Sequence, residues 1–226
     1  MRLCLTLLLA AFTLQATPDR QRLLTPSDPA FTERAAHRSL VTLETTKGTI
    51  VVEVIRAWAP LGADRFVNLV RHGYYDEAMI FRIRPKTWAQ FGIAGDPKVA
   101  QAWRAATFPD DPFQESNVRG TVAFAFAVPN GRTTQVFINL RDNAATHDKE
   151  PFVPFGRVIQ GLEVADAWNA EYGEGLGGIR AGKQDAGFAE GNMFFRREFP
   201  RLDVISRAVV APSRPEHPRA GTARAR

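Results

Sequence analysis

The 226-residue chain carries a formal charge of +5, and 45% of its residues are hydrophobic and 10% aromatic. This composition is typical of a globular protein and excludes a disordered chain, and the length suits one domain with a proper core. Cys4 is the only cysteine, so a disulfide framework is excluded, and so is cysteine catalysis once Cys4 is removed by processing.

Residues 1–16 predict a cleaved export signal, and therefore a periplasmic or extracellular protein. Arg2 gives the positive start, residues 3–14 are apolar, and Ala16 is a small residue at a suitable cleavage point. The apolar run is too short to cross a bilayer of roughly 30 Å as a helix. An N-terminal anchor or a buried helix are the alternatives. After cleavage we expect no stable membrane insertion.

Residues 17–38 are polar and contain proline, which predicts a linker before a folded domain at residues 39–212. Within it, residues 29–36 predict a short helix with Ser27 or Asp28 as its cap. Two β-branched runs, 40–45 and 50–54, surround a short turn that contains Gly48, a pattern typical of a β-hairpin. In residues 61–72, apolar side chains recur at helical spacing, which predicts an amphipathic helix packed on the sheet.

Residues 79–97 combine polar and large aromatic residues around one strand and one turn. The strand alternates until Pro85, which cannot donate to a β-ladder. Trp88 and Gln90 follow, before a glycine-containing turn. On these residues alone, a solvated strand edge that leads into a loop is the simpler interpretation.

The C-terminal half predicts three further strands, a second short helix and a last strand. In the run 134–140, Gln135 and Phe137 share one face. We expect irregular structure in residues 98–119. The acidic residues at 109–112 predict a solvated turn, and not a site for acid–base or metal chemistry, because adjacent carboxylates point apart. Further expected elements are strands at 120–128, 152–158 and 207–211, a helix at 162–170, a glycine-rich loop at 173–191 and a helical turn at 199–205.

The predicted elements amount to seven or eight mostly antiparallel strands and two main helices, without βαβ alternation. This pattern favours a closed or nearly closed barrel, because closure removes exposed strand edges. The tail at residues 213–226 is basic and rich in proline and alanine. We expect it to be disordered and solvated, and not to bind nucleic acid, because no nucleic-acid-binding motif accompanies it.

The sequence lacks the usual catalytic signatures. Its four histidines are scattered without metal-ligand spacing, and no nucleotide-binding fingerprint follows a strand; we expect neither a metal nor a cofactor. The remaining candidates for a functional site are two pairs of residues, Arg82 with Gln90 and Gln135 with Phe137. Arginine does not deprotonate in proteins, so it cannot act as a general base. Such a site suits binding, or a reaction without proton transfer or nucleophile.

The chain resembles the bacterial cyclophilin-type peptidyl-prolyl cis–trans isomerases. The match extends over about residues 40–211, and its runs occur in family order at 59–60, 66–69, 73–76, 81–83, 90–92 with 95–97, 119–121, 133–135 with 137–139, and 154–158. The resemblance implies a mostly β fold: a closed eight-stranded antiparallel barrel capped by two α-helices.

The resemblance also implies a site. Arg82 would donate to the prolyl nitrogen, Gln90 would support it, Gln135 would contact the substrate, and Phe137 would line a proline pocket. Other expected substrate-binding positions depart from the family pattern: Thr87 replaces an aromatic residue, Trp88 a methionine, Phe126 an asparagine, His147 a leucine and Phe152 a histidine.

The expected partners are proline-containing polypeptide clients of a monomeric enzyme that assists the folding of exported proteins. Two alternatives stay open at this point. One is a non-catalytic proline-peptide-binding or chaperone module that uses the same groove. The other is an envelope-associated basic scaffold, an idea based on the arginine-rich tail.

Overall fold

The computed structural model describes residues 21–174 and 184–211; the predicted signal and the basic tail lie outside this part of the chain. Its nine strands are β1 (Arg38–Thr45), β2 (Gly48–Ile55), β3 (Ala78–Met79), β4 (Arg82–Arg84), β5 (Trp88–Phe91), β6 (Thr121–Phe124), β7 (Val136–Asn139), β8 (Pro154–Gln160) and β9 (Val204–Val210). Its α-helices are α1 (Pro60–Arg71), α2 (Pro97–Arg104), α3 (Ala144–His147), α4 (Leu162–Asp166), α5 (Gln184–Glu190) and α6 (Asn192–Glu198).

The strands form one curled antiparallel sheet in the order β3-β9-β1-β2-β8-β6-β7-β5-β4. The edge strands β3 and β4 are separated along the chain by only Ile80 and Phe81, so the sheet curls until its two edges approach each other. The mostly β antiparallel architecture is thus confirmed, as a curled half-barrel of nine strands whose edges β3 and β4 are not paired with each other, instead of a closed barrel of eight. The strand that we expected to run from residue 79 to Pro85 is divided into β3 and β4 at Ile80 and Phe81.

The β1–β2 hairpin and α1 form as the sequence predicts. Thr45 pairs with Gly48 at the turn, and the inward-facing residues of both strands are buried. Helix α1 buries one face against the barrel and begins at Pro60, a residue that suits the first helical position. The second predicted helix, α4, is shorter than expected and ends at Asp166.

The acidic turn at residues 109–112 is not simply solvated, as we had expected. Asp111 is buried, and its two carboxylate oxygens accept hydrogen bonds from the backbone N–H groups of Leu61 and Gly62, at 2.9 and 2.8 Å. The first N–H groups of a helix have no partner within the helix, and a carboxylate satisfies them. Asp111 therefore holds the start of α1.

The predicted linker packs on the domain in the structure. The short helix expected within it forms as a 3₁₀ turn at residues 29–31, capped by Asp28, whereas the burial of Leu23 and Phe31 in the hydrophobic core was not expected. The indole N–H of Trp103 donates to the carbonyl of Leu23 at 2.8 Å. The polar composition of this segment indicated a linker, but a few widely spaced, large apolar side chains attach it to the hydrophobic core of the domain.

Two segments expected to be irregular contain helices. Residues 97–104 form α2, capped by Asp96, whose side chain accepts from the N–H of Lys98. The predicted loop 173–191 contains α5, while residues 175–183 lie outside the described part. The helical turn expected at 199–205 is shorter: the N–H of Leu202 donates to the carbonyl of Phe199 at 3.1 Å, and β9 already begins at Val204. Buried Phe188 and Phe195 stabilise these short helices through tertiary contacts that their sequence does not reveal.

The helices of the described segments are all too short or too polar to cross a bilayer.

Candidate active site

Three neighbouring strands bring the predicted site residues together. Arg82 on β4 is the register partner of Gln90 on β5, and Gln90 is in turn opposite Phe137 on β7. Residues opposite each other on adjacent strands lie side by side on the sheet. They line a cleft of about 560 Å³ on one side of the barrel.

One half of this cleft, which we call the polar half, consists of Arg82 and Gln90 at the lining and of Gln135 behind them. Gln135, which we expected to contact the substrate, is buried outside the lining. Arg82 Nη1 donates to Gln90 Oε1 at 3.0 Å, and Gln90 Nε2 donates to Gln135 Oε1 at 2.7 Å. Both glutamines are buried, with 2% and 5% of their surfaces exposed. Since a guanidinium only donates, Gln90 must turn its oxygen toward Arg82, and this fixes the direction of the chain of hydrogen bonds.

The backbone next to Gln135 is held in place by contacts with the carbonyl group of Thr134. Tyr75 donates its hydroxyl to the carbonyl of Thr134 at 2.8 Å. Gly92 has a φ of 113°, and any Cβ there would collide with the same carbonyl oxygen. Only glycine adopts this conformation and allows the approach without strain. The glycine after β5 thus lets β7 lie close enough for the two glutamines to bond.

The other half, which we call the aromatic half, consists of Trp88, Phe126, Phe137, His147 and Phe152. The ring of Phe152 lies 4.5 Å from that of Phe126, 5.4 Å from that of Phe137 and 5.0 Å from that of His147, centroid to centroid. Trp88 approaches His147 at 5.5 Å. Such edge-to-face and tilted contacts are favourable for aromatic rings. The arrangement makes an apolar depression beside Arg82.

His147 behaves as an aromatic residue in this setting. Burial lowers its pKa below the usual value, although nearby Asp148 acts in the opposite direction. Among the described residues, no group forms a hydrogen bond with its buried Nδ1. The ring is therefore neutral near pH 7, which suits its contact with the phenylalanines.

Trp88 lies between two arginines. The guanidinium carbon of Arg82 is 5.5 Å from the centre of the indole, and that of Arg84 is 5.2 Å from it. Cations at this distance are attracted to the face of the ring. Trp88 thus links the aromatic half to the polar half.

Thr87 is placed differently from the expectation that it contacts substrate. It is buried in the β4–β5 turn, below the lining of the cleft. Its hydroxyl donates to the carbonyl of Pro85 at 3.2 Å, and its own carbonyl accepts from the N–H of Leu140 and the side-chain amide of Asn143, each at 2.9 Å. Thr87 therefore supports the turn that presents Trp88.

Two contacts of the site were missed by the sequence analysis. Glu174 Oε1 lies 2.6 Å from Arg82 Nη2, and Gln184 Oε1 accepts from Gln135 Nε2 at 3.0 Å. Both residues belong to the segment that we expected to be a glycine-rich loop. No local pattern indicates them, because they lie 92 and 49 residues along the chain from their partners.

This arrangement offers donors and an apolar surface. The charge of Arg82 is permanent, and the neighbouring amides orient its N–H groups. In the two described segments, no cluster of three histidine, cysteine or carboxylate side chains is suitable for a metal ion. The geometry fits a reaction in which a developing lone pair is stabilised without transfer of a proton.

Several known proteins are similar to this chain. A peptidyl-prolyl cis-trans isomerase from Streptomyces antibioticus is 34% identical over 139 residues, or 57% of this chain and 82% of the relative. Peptidyl-prolyl cis-trans isomerase A from Dickeya dadantii is 30% identical over 158 residues, or 68% of this chain and 82% of the relative.

A Cryptosporidium parvum cyclophilin-type isomerase has a similar fold, with a TM-score of 0.54 at 18% identity, over 78% of this chain and 99% of that one. The family model "Cyclophilin type peptidyl-prolyl cis-trans isomerase/CLD" matches residues 40–181. This match covers more than half of the chain, which therefore belongs to the cyclophilin-type peptidyl-prolyl cis–trans isomerase family.

Proposed function

We propose that this protein accelerates rotation about X–Pro bonds in proline-containing polypeptides, with Arg82 as the catalytic donor and Gln90 as its support. The observation that carries the proposal is the hydrogen bond from Arg82 to buried Gln90 at the border of an aromatic depression. Family membership supports the same reaction.

The chemistry of the cleft suits this reaction. Rotation about an amide is opposed by a barrier of about 18–20 kcal/mol, and for X–Pro bonds it takes tens to hundreds of seconds without a catalyst. Conjugation between nitrogen and carbonyl is lost at the top of the barrier, which leaves a lone pair on the prolyl nitrogen. A donor directed at that lone pair stabilises the twisted state more than the planar state, and each 1.36 kcal/mol of such selectivity gives about tenfold in rate.

The two halves of the cleft would then have separate tasks. Phe137, His147 and Phe152 offer a surface for the proline ring, with Trp88 and Phe126 at its sides. Gln135 lies behind the lining and keeps Gln90 in orientation. Arg82 is the residue that acts on the reacting nitrogen.

Two-dimensional NMR exchange on a short X–Pro peptide tests the proposal. We expect wild-type protein to increase the cis–trans exchange rate, and Arg82→Ala to lose about 10- to 100-fold, the equivalent of one charged hydrogen bond. Arg38→Ala, on a distant strand, is the matched control and should leave the rate unchanged.

Two results would contradict the proposal in different ways. If Arg82→Ala is as active as wild type, the role of Arg82 is refuted. If wild-type protein binds the peptide without any gain in exchange, the protein is a non-catalytic proline-peptide-binding module instead.

We further propose that the enzyme is exported and acts as a monomer on proteins that fold outside the cytoplasm. The support is the charged and apolar pattern of residues 1–16. Cell fractionation combined with the mass of the mature chain tests export: cleavage near Ala16 is expected, and an uncleaved cytoplasmic chain would refute it. Size-exclusion chromatography with light scattering tests the monomer.

A further inference from the structure

We propose that Gln184 is a positioning residue for Arg82, which it controls through Gln135 and Gln90. The inference deepens the proposed isomerase function and rests on it. Gln184 lies on α5, beyond residues 40–181 that match the family model.

The contact between Gln184 and Gln135 is a reciprocal amide pair. Gln135 Nε2 donates to Gln184 Oε1 at 3.0 Å, and Gln184 Nε2 donates back to Gln135 Oε1 at 3.3 Å. Gln184 is 7% exposed, so water offers little replacement for these bonds. A buried amide that loses its partner is strongly disfavoured.

The directions of the hydrogen bonds link this amide pair to Arg82 through Gln90. Arg82 requires the oxygen of Gln90, so Gln90 must turn its amide nitrogen toward Gln135. Gln135 must then present its oxygen to Gln90 and its own nitrogen elsewhere. Gln184 is the acceptor for that nitrogen. It therefore satisfies the buried amide of Gln135 in the orientation that leaves Arg82 correctly paired, and it holds that side chain in place.

A flip of Gln135 would reverse this order. Its nitrogen would then face the nitrogen of Gln90, two donors without an acceptor. If Gln90 also flipped, its nitrogen would face the guanidinium of Arg82, again donor against donor. Without Gln184, the buried nitrogen of Gln135 would lose its acceptor, and Gln90 alone would hold the Gln135 side chain in place.

Helix α5 holds Gln184 in place by contacts on its other residues. Phe188 is buried in the core, and the guanidinium of Arg104 lies 4.9 Å from the centre of its ring. Arg104 also forms an ion pair with Asp185, the neighbour of Gln184. The helix is thus anchored on α2 independently of the amide pair, so the two contributions are separable by mutation.

The test uses Gln184→Met in the full-length protein. Methionine keeps the length and apolar burial of the side chain but removes both amide bonds. We expect kcat/KM for a proline peptide to fall about three- to tenfold, with the loss mainly in kcat because the orientation of Arg82 is affected. Asp185→Asn is the matched control: it removes the ion pair of the same helix and should change kcat/KM by less than about twofold.

A double-mutant cycle separates positioning from general support of the fold. If Gln184 acts through Gln135, Gln184→Met added to Gln135→Met should cost no more than about twofold in kcat/KM, because that path is already broken. Losses that multiply would overturn the inference, and so would a Gln184→Met effect no larger than that of Asp185→Asn.

A second readout is independent of catalysis. The side-chain amide resonances of Gln90 and Gln135 should shift or broaden in Gln184→Met and stay in place in Asp185→Asn. If wild-type protein fails to catalyse exchange, the proposed function fails, whereas unchanged amide resonances in Gln184→Met would refute the positioning of Gln90 and Gln135 by itself.

Discussion

In the polar half of the cleft, Arg82, Gln90 and Gln135 are joined by directed hydrogen bonds, whereas in the aromatic half Phe137, His147 and Phe152 touch only ring against ring. A directed bond requires one donor facing one acceptor, so each member dictates the orientation of the next. Ring contacts depend mainly on shape and apolar area, so they permit several residue types.

This difference explains where the sequence departs from the family pattern implied by the resemblance. The arginine and two glutamines of the polar half match that pattern, while Trp88, Phe126, His147 and Phe152 all depart from it in the aromatic half. A neutral, largely buried histidine still contributes a flat ring to an apolar depression. The comparison predicts that substitutions in the polar half act on the rate of rotation, and those in the aromatic half on peptide affinity.

The largest effect is expected from breaking the polar half at its centre. Gln90→Leu keeps a similar volume but leaves Arg82 Nη1 without its acceptor and Gln135 Oε1 with only the longer bond from Gln184. Bonds to charged groups contribute about 1.5–3 kcal/mol, so we expect a loss of about 10- to 100-fold in kcat, no larger than that of Arg82→Ala, as measured by NMR exchange. Gln101→Leu, on the exposed face of α2, is the control. An unchanged kcat would mean that Arg82 needs no support from Gln90.

In the aromatic half, Phe137→Leu is expected to weaken peptide binding and leave kcat within about twofold. The substitution removes ring surface at a residue that is 4% exposed, and a loss of about 1–2 kcal/mol in apolar contact raises KM about 5- to 30-fold. Phe113→Leu, at a phenylalanine that is 49% exposed, is the control. A fall in kcat with unchanged KM would contradict the assignment of peptide affinity to the aromatic half and of the rate of rotation to the polar half.

The protonation of His147 gives a smaller effect, which depends on pH. Because burial lowers its pKa, the ring stays neutral as the pH falls through about 6.5, the usual value for histidine. At lower pH the ring becomes charged, and peptide affinity should fall a few-fold. In the same range the unfolded state binds more protons than the folded state, so stability also decreases as the pH falls.

Peptide titrations between pH 5 and 8 check this prediction. His147→Phe should remove the low-pH loss of affinity, and His37→Gln, an exposed histidine outside the cleft, should retain it. An affinity that already declines between pH 8 and 7 in wild-type protein would contradict a lowered pKa for His147.

The smallest effect on activity is expected at Thr87. Thr87→Val removes the hydroxyl that donates to Pro85 and keeps the shape of the side chain. We expect about 1 kcal/mol less stability on chemical denaturation and a kcat/KM within about twofold of wild type. A large rise in KM would show that Thr87 contacts the peptide and belongs to the aromatic half of the cleft.

Local patterns predicted the regular parts of the fold. Alternation and a glycine turn gave the β1–β2 hairpin, and helical spacing after Pro60 gave α1. The site residues Arg82, Gln90, Gln135 and Phe137 came from strand-face assignments together with the family resemblance. These features depend on neighbours within a few residues, which the sequence displays directly.

The failures share a different physical cause. Residues 21–37 looked like a linker because their polar composition hides Leu23 and Phe31, whose burial depends on Trp103. Asp111 looked solvated because its partner, the first turn of α1, lies about 50 residues away along the chain. Helix α5 was missed because seven residues carry too weak a periodic signal, and its packing on α2 stabilises it.

The sequence by itself determined the mostly antiparallel β fold and the family, and it singled out Arg82, Gln90 and Gln135, because strand alternation and the order of the motifs can be read along the chain. Only the tertiary structure decided how these side chains are held. It removed Thr87 from the lining of the cleft, brought Glu174 to Arg82 and placed Gln184 against Gln135. Such contacts join residues far apart along the chain, and only the packing of the whole chain sets the distances and donor directions on which they depend.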